Sequence, residues 1–408
     1  MTISRWTAAP VLLASAVVTP ACVAERTDCG GSLVCEPAAA GGGDAAVADA
    51  GPVIDSGGPV GDSGSCRPSF ASGVNVAWVR FANDVPNPNL ATFQVLFQNT
   101  YAAGGRVARW WFHANGTTTP GYDANGMALA ISSSDIADVR SILDTAHAAG
   151  MMVTISLWSF DMLKGNIPAS TLANNVSLLT VDANRQAYID NVLTPLVSAL
   201  AGHPGLYAWE TFNEPEGMAL APGWKPFTGV RGADGGTITG QSVEESYIQK
   251  TINWFAAAIH TADPSALVTN GTWQFLANAN TAGMMNYYSD AALQAAGGKD
   301  NGTLDFYEVH YYAANGAKVS PFANPASYWA LDKPIVIGEF YALAQDGVAG
   351  PDTYTHLFGS QYGGAWAWQY LNSDGTNSSN GGAVTKWPTM QVPMQNLLAA
   401  DPGALACP

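Results

Sequence analysis

A short apolar run in the middle of the chain has the sequence LYAWETF (residues 206–212), and NEP (residues 213–215) follows it directly. A second run, IVIG (residues 335–338), is followed directly by Glu339. Apolar runs of this length predict buried strands. The sequence therefore predicts two strands that each lead into a glutamate, Glu214 in the first case and Glu339 in the second.

Six further runs flank these two and alternate with helical patterns. The predicted strands are Val74–Phe81, Val107–Phe112, Met152–Trp158, Leu206–Phe212, Leu267–Asn270, Phe306–His310, Ile335–Gly338 and Gly364–Gln369. The predicted helices are Leu90–Ala103, Ser134–Ala148, Asn184–Ala201, Val243–Thr261, Met284–Ala296 and Thr389–Ala399, with two weaker patches before the last. Eight repeats of strand then helix predict an α/β fold, a closed (β/α)8 TIM barrel. The alternative, an open doubly wound sheet, would have a glycine-rich turn after the first strand, where this chain has FANDVP (residues 81–86).

Composition divides the chain into three parts. Residues 1–21 have the features of a signal peptide, with Arg5 before the apolar segment Ala8–Val18. Residues 22–65 are a predicted flexible linker, because from Ala38 onward they contain no aromatic residue and no Lys or Arg. A dense apolar pattern begins at Cys66, which predicts one domain over residues 66–408.

The leader predicts export, as a secreted protein or an outer-surface lipoprotein. TPAC (residues 19–22) resembles a bacterial lipobox, so lipidation of Cys22 and ordinary cleavage after Ala21 or Ala24 are both open. Setting Cys22 aside leaves an even number of cysteines, and we expect the disulfides Cys29–Cys35 and Cys66–Cys407. A metal site is disfavoured because the chain has no close CxxC pair.

Charge and hydropathy exclude several classes of partner. The chain has 16 basic and 32 acidic residues, a net charge of −16, which repels nucleic acid. After the leader it has no apolar run of about 18 residues or more. We expect a monomer that meets a membrane only through a lipid on Cys22.

The two glutamates suggest a chemistry. Active sites of (β/α)8 barrels lie at the carboxyl ends of the strands. Glycoside hydrolysis needs two carboxyl groups there, one protonated to donate to the leaving oxygen and one ionised to attack the anomeric carbon or activate water. Either glutamate alone could instead form a salt bridge or cap a helix. Other acids near predicted strand ends, Asp161, Glu210 and Glu308, are interpreted as bystanders or supporting partners, and Glu216 is left unassigned.

The motifs around these glutamates carry a family resemblance. WETFNEP (residues 209–215) and KPIVIGEF (residues 333–340) resemble clan A glycoside hydrolases, above all family 5, and the resemblance extends over most of residues 66–407. It implies a retaining enzyme with Glu214 as the acid/base and Glu339 as the nucleophile. No cofactor is implied and no catalytic metal is expected, because the acid/base and the nucleophile complete the reaction without one; a structural cation in a loop is left open.

The resemblance also implies a set of supporting residues. It gives Arg109 a bidentate contact that holds Glu339 ionised and lowers its pKa, Asn213 a hydrogen bond to the sugar 2-hydroxyl, and Tyr312 a hydrogen bond to the nucleophile. It places His310 near the reaction centre. The substrate-binding residues so predicted are Arg109, Asn213, His310, Tyr312, Trp368 and Trp158, with Trp368 stacked on the sugar ring.

The substrate is predicted to be a β-linked polysaccharide. Trp158, the phrase HPGLYAWE (residues 203–210) and the pair Arg109-Trp110 resemble the endo-β-mannanase branch, which favours β-1,4-mannan. A β-1,4- or β-1,3-glucan is the alternative, because mannan and glucan differ at C2 only in the orientation of one hydroxyl. A non-catalytic carbohydrate-binding protein would lack a carboxylate, and a serine hydrolase would need a G-x-S-x-G elbow, which is absent.

Overall fold

The computed structural model describes residues 67–371, apart from 223, 225, 227 and 229–239, and residues 387–406. The predicted signal peptide, linker and disulfides lie outside the described residues. Among the described residues, no helix is long and apolar enough to cross a membrane.

Eight parallel strands form a closed barrel, which confirms the predicted (β/α)8 fold. Each strand pairs with the next along the chain, and the last pairs with the first. The strands are β1 (Ala71–Ala77), β2 (Val107–Ala114), β3 (Met152–Ser159), β4 (Leu206–Asn213), β5 (Val268–Thr272), β6 (Tyr307–His310), β7 (Ile335–Glu339) and β8 (Gly364–Ala367). A small two-stranded ribbon, Ala219–Leu220 with Val243–Glu244, lies outside the barrel.

The helices follow most strands as the sequence predicted, but the weak helical patch predicted after β6 is a series of short 3-10 turns. They are α1 (Leu90–Ala102), α2 (Ser133–Ala148), α3 (Ala169–Thr180), α4 (Asp182–Tyr188), α5 (Thr194–Leu200), α6 (Glu245–Ala262), α7 (Asp290–Gly297), α8 (Thr353–Gly359) and α9 (Trp387–Ala400). Helix α3 was not predicted. The predicted helix Asn184–Ala201 is instead α4, a π-helical turn at Ile189–Leu193, and α5.

Proline explains that interruption. Pro195 lies in the first turn of α5 and has no N–H to donate to the carbonyl of Asn191. That carbonyl accepts instead from the N–H of Ile131 (2.9 Å), on another part of the chain. The helix therefore changes its hydrogen-bond pattern where proline removes a donor.

Two layers fill the barrel interior. The basal layer lies at or near the amino-terminal ends of the strands and contains Ala71, Val107, Tyr207, Ala208, Phe306, Val336 and Trp366. Tyr207 of β4 and Trp366 of β8 approach across the barrel, with ring centroids 6.2 Å apart. The charged layer, above it, contains Arg109 of β2, Glu210 of β4 and Glu308 of β6, all completely buried. Only the charged layer adjoins the carboxyl ends of the strands.

Candidate active site

Glu214 and Glu339 lie together on the floor of a cleft at the carboxyl ends of the strands. Glu214 follows β4 and Glu339 ends β7, and one oxygen of each lies within 4.8 Å of the other. The cleft has a volume of about 720 Å³. Both carboxyl groups are largely buried but line this cleft, as do Asn213, Tyr312 and Trp368. The structure thus brings these five predicted residues to one site.

A tight turn carries Glu214. Its backbone is left-handed (φ 47°, ψ 55°), a conformation that costs about 1 kcal/mol for a residue other than glycine. Its N–H donates to the carbonyl of Gly271 at the end of β5 (2.6 Å), and its own carbonyl accepts from Gly217 (2.9 Å). These bonds hold the glutamate at the rim of the barrel.

Arg109 joins the charged layer to Glu339. Its Nη1 donates to Glu339 Oε1 (2.6 Å), while Nε and Nη2 donate to the two oxygens of Glu210 (2.6 Å each). The expected bidentate contact with Glu339 is therefore wrong, because the fork faces Glu210. Glu210 points into the barrel from within β4, whereas Glu339 lies at a strand end and receives a single nitrogen. Arg109 is fully buried and does not line the cleft, so it contacts Glu339 from below the cleft floor.

Tyr312 is a second partner that orients the Glu339 carboxylate and affects its pKa. Tyr312 donates its hydroxyl proton to Glu339 Oε2 (2.6 Å). Burial raises the pKa of Glu339 to about 7, although Arg109 and the Tyr312 hydroxyl both act to lower it. The predicted direction of the arginine's effect is right, but the cost of burial is larger.

The pKa of Glu214 is raised further. Burial is the main cause, and the negative charges of Glu339 and Glu216 add to it, so its pKa lies well above the ordinary value. His310 Nδ1 and Glu214 Oε1 form a hydrogen bond (2.9 Å), and burial lowers the pKa of His310 well below its ordinary value. His310 is fully buried and contacts Glu214. At neutral pH the pair can therefore present one protonated and one ionised carboxyl group.

Three tryptophans form one side of the cleft. Trp368, Trp78 and Trp111 have ring centroids between 5.1 and 5.9 Å apart. The pair Tyr312 and Tyr341, with centroids 4.8 Å apart, also lines the cleft. Flat aromatic surfaces of this kind can stack on the apolar faces of sugar rings.

Trp158 does not lie with them, which corrects the prediction that it contacts substrate. It is fully buried and packs against His113 and Tyr188, with ring centroids 4.8 and 5.7 Å away. Strand β3 continues to Ser159, so Trp158 lies inside the strand, with its side chain directed toward α4. Its bulk supports the barrel wall.

Trp78 is a cleft residue that the sequence analysis missed. The first strand was predicted to continue to Phe81, but β1 ends at Ala77, which has a positive φ of 52°. The chain turns there and Trp78 lies over the cleft. Asp161, interpreted as a bystander, also lines the cleft and forms an ion pair with Lys164 (2.5 Å).

The site also has the donor types of a metal centre. Glu214, His310 and Glu339 each place one potential ligand atom within 4.8 Å of the others. Protein groups already bind these three side chains, however, since His310 bonds to Glu214, and Arg109 and Tyr312 bond to Glu339. The contacts satisfy a carboxylate pair without requiring an ion.

Fold and site together define a barrel enzyme with a buried carboxyl pair. The family model described as Cellulase (glycosyl hydrolase family 5) matches residues 71–380. The chain therefore belongs to glycosyl hydrolase family 5 and is a glycoside hydrolase, which confirms the predicted resemblance.

Known mannanases are similar to this chain over most of its length. A mannan endo-1,4-beta-mannosidase of Cryptopygus antarcticus is 35% identical over 319 residues, which are 75% of this chain and 81% of the relative. The X-ray structure of the beta-mannanase of the blue mussel Mytilus edulis is 31% identical, with a TM-score of 0.69, and the match covers 82% of this chain and 95% of that one. The crystal structure of an endo-1,4-beta-mannanase of Eisenia fetida is 32% identical, with a TM-score of 0.68, and the match covers 80% of this chain and 90% of that one.

Proposed function

We propose that this chain is a retaining endo-β-1,4-mannanase, with Glu214 as the acid/base and Glu339 as the nucleophile. The observation that carries the mechanism is the pair of carboxyl oxygens within 4.8 Å of each other. Retaining enzymes place the two carboxyl groups about 5 to 5.5 Å apart, whereas inverting enzymes need about 6.5 to 9.5 Å to admit a water molecule. The separation here supports retention.

The protonation states suit two successive steps. Glu339 attacks the anomeric carbon while Glu214 protonates the glycosidic oxygen, which breaks the bond and leaves a covalent glycosyl-enzyme. Glu214, now ionised, then takes a proton from water, which attacks the same carbon and releases Glu339. Burial and the neighbouring charges keep the proton on Glu214 before the first step.

Asn213 is oriented for the sugar 2-hydroxyl. Its Oδ1 accepts from Arg109 Nη2 (2.7 Å), and its Nδ2 donates to Ser159 Oγ (3.2 Å). Asn213 lines the cleft, and the second hydrogen of its amide nitrogen can bind the 2-hydroxyl, a contact that strengthens as positive charge develops in the transition state.

The mannan specificity is supported by the named activity of the relatives, and the aromatic cleft suits a polysaccharide in general. A β-glucan remains the second candidate, because the family description is Cellulase. The test measures release of reducing sugar from β-1,4-mannan, β-1,4-glucan and β-1,3-glucan. The mannan should be cut fastest, with chain shortening in its interior, and NMR of the first product should show the retained anomer.

Variants test the two roles. Glu214→Gln and Glu339→Gln should each lower activity by about 10⁴-fold or more, because each removes one half of the acid-and-nucleophile pair. Glu244→Gln, at an exposed glutamate, is the matched control and should equal the parent enzyme. Parent-like activity in either cleft variant would overturn the catalytic assignment, and faster cleavage of a glucan would overturn the substrate.

We also propose that residues 1–21 direct export, that 22–65 form a linker and that Cys66 and Cys407 form a disulfide that closes the catalytic domain. Export is supported by the leader pattern and by the polymeric substrate. Mass spectrometry of the mature chain measures the cleavage site, a lipid on Cys22 and the disulfide pairs, and size-exclusion chromatography tests the expected monomer.

A further inference from the structure

Glu216 is a buried carboxyl group that lies two residues after Glu214 and outside the lining of the cleft. Only 3% of it is exposed, and both of its oxygens accept hydrogen bonds. The hydroxyl of Tyr288 donates to Oε1 (2.5 Å), and the backbone N–H of Trp273 donates to Oε2 (2.9 Å). A buried, fully bonded carboxyl group this close to the proposed acid/base calls for an explanation.

The Trp273 contact fixes the turn that carries Glu214. Trp273 directly follows β5, and Gly271 of the same strand accepts the N–H of Glu214. The turn is thus attached to the end of β5 at two points, once by backbone and once by the Glu216 side chain. Because Glu214 is in a left-handed conformation, its position depends on such attachments.

Glu216 also has an electrostatic effect on Glu214. Burial raises the pKa of Glu216 to about 7, against the hydrogen bonds from Tyr288 and Trp273, so the group becomes ionised above neutral pH. Its charge is among the causes that raise the pKa of Glu214. The other titratable and charged groups around the two glutamates are Glu339, Asp161, Arg109, His310 and Tyr312 beside Glu214, and Tyr288 and Glu245 beside Glu216.

We propose that Glu216 is a positioning residue for Glu214. The carboxylate of Glu216 clamps the turn, and its negative charge retains the proton on Glu214 as the pH rises. The inference rests on the proposed role of Glu214. The charge of Glu216 then sets the upper pH limit of the reaction, because the enzyme loses its acid when Glu214 ionises.

The test is the pH profile of kcat/KM on mannan. Glu216→Gln removes the charge, so the alkaline limb should move down by roughly half a unit to one unit, with the acid limb unchanged. Glu216→Asp retains the charge but shortens the clamp, so kcat should fall while the alkaline limb remains in place. Glu245→Gln, a matched change in the same neighbourhood, should leave the profile at that of the parent, since Glu245 is not among the groups that raise the pKa of Glu214.

Two outcomes would overturn the proposal. One is a Glu216→Gln enzyme that is slower but has an unchanged alkaline limb, because that is the signature of a structural role alone. The other is a downward shift of the alkaline limb in Glu216→Asp. This second variant keeps the proposal testable if Glu216→Gln does not fold. Activity in Glu214→Gln would refute the proposed function itself, whereas an inactive Glu214→Gln beside an unshifted Glu216→Gln refutes only this inference.

Discussion

The basal and charged layers occupy the same barrel, and they differ in the side chains that the neighbouring strands contribute beside them. The basal layer is apolar and is packed by large side chains such as Trp366. The charged layer needs empty space beside it: a Cβ at Gly271 would lie 2.4 Å from Glu210 Oε1, and one at Gly338 would lie 2.2 Å from Glu308 Oε1. Side chains that could have packed the core are thus absent where carboxyl groups must fit.

The charged layer also contains more acids than bases. Arg109 faces Glu210, Glu308 and Glu339, all within 3.0 Å of one of its nitrogens. Burial and the charge of Glu210 raise the pKa of Glu308 well above its ordinary value, against the effect of Arg109. Arg109 therefore organises the layer by pairing with all three carboxyl groups.

The largest expected effect comes from breaking the charged layer at that cation. Arg109→Lys replaces a fork that bonds Glu210, Glu339 and Asn213 with a single ammonium that cannot reach all of them. We expect kcat/KM to fall by at least about 100-fold and the free energy of unfolding to fall by about 3 kcal/mol. Enzyme assays and denaturant unfolding measure the two effects.

Arg106→Lys is the control for this change. Arg106 lies just before β2 and donates to the carbonyl of Gly105. Its replacement should leave both quantities near those of the parent. Equal losses in the two variants would show that Arg109 has no special place in the layer.

Two tryptophans near the end of the chain allow the layers to be compared directly. Trp366 lies in the basal layer, where its Nε1 donates to the carbonyl of Ala71 (3.0 Å), and Trp368 lies two residues later in the cleft. Trp366→Ala should lower the free energy of unfolding by about 3 to 5 kcal/mol with kcat per folded molecule unchanged. Trp368→Ala should raise KM about 10-fold through lost stacking and change stability less. The reverse pattern would contradict the division into layers.

Much of this organisation could be predicted from sequence because it is repetitive or local. The eight strands and the position of Glu214 and Glu339 at strand ends follow from apolar runs and from the residues that end them. The resemblance of WETFNEP to family 5 also identified Asn213. Each of these features depends on residues close together in the chain.

The features that were predicted wrongly or not at all depend on where strands end and on contacts between distant segments. Trp78 was missed because the first strand was predicted to continue to Phe81, whereas β1 ends at Ala77. Trp158 was assigned to the cleft because the third strand was predicted to end there, whereas β3 continues to Ser159. The pairing of Arg109 with Glu210 joins residues 101 positions apart, and periodicity does not show which of several carboxylates a buried arginine faces. Glycines opposite strand glutamates, such as Gly338 beside Glu308, are a signal that could have been used.

A smaller effect is expected from the Tyr312 hydroxyl, which lies above the charged layer. The hydrogen bond from Tyr312 to Glu339 Oε2 lowers the pKa of that carboxyl group, and Tyr312→Phe removes this bond. The acid limb of the pH profile should therefore move upward from near 7, and kcat should fall about 10-fold. Tyr341→Phe, at the neighbouring cleft tyrosine, is the control. An acid limb that moves downward would contradict the assignment of Glu339 as the group that must be ionised.

The smallest effect distinguishes the layers by pH alone. Because the pKa of Glu308 is raised in the folded chain, the unfolded chain loses this proton first as the pH rises, so the folded state binds more protons and its stability falls above about pH 4.5. Glu308→Gln should remove this contribution, so the stability of the variant should fall less steeply than that of the parent as the pH rises above about 4.5. Val336→Ala in the basal layer should lower the free energy of unfolding by the same amount at every pH, since no proton is involved. Denaturant unfolding at several pH values measures both slopes, and a Glu308→Gln slope equal to that of the parent would show that Glu308 is already ionised in the folded barrel.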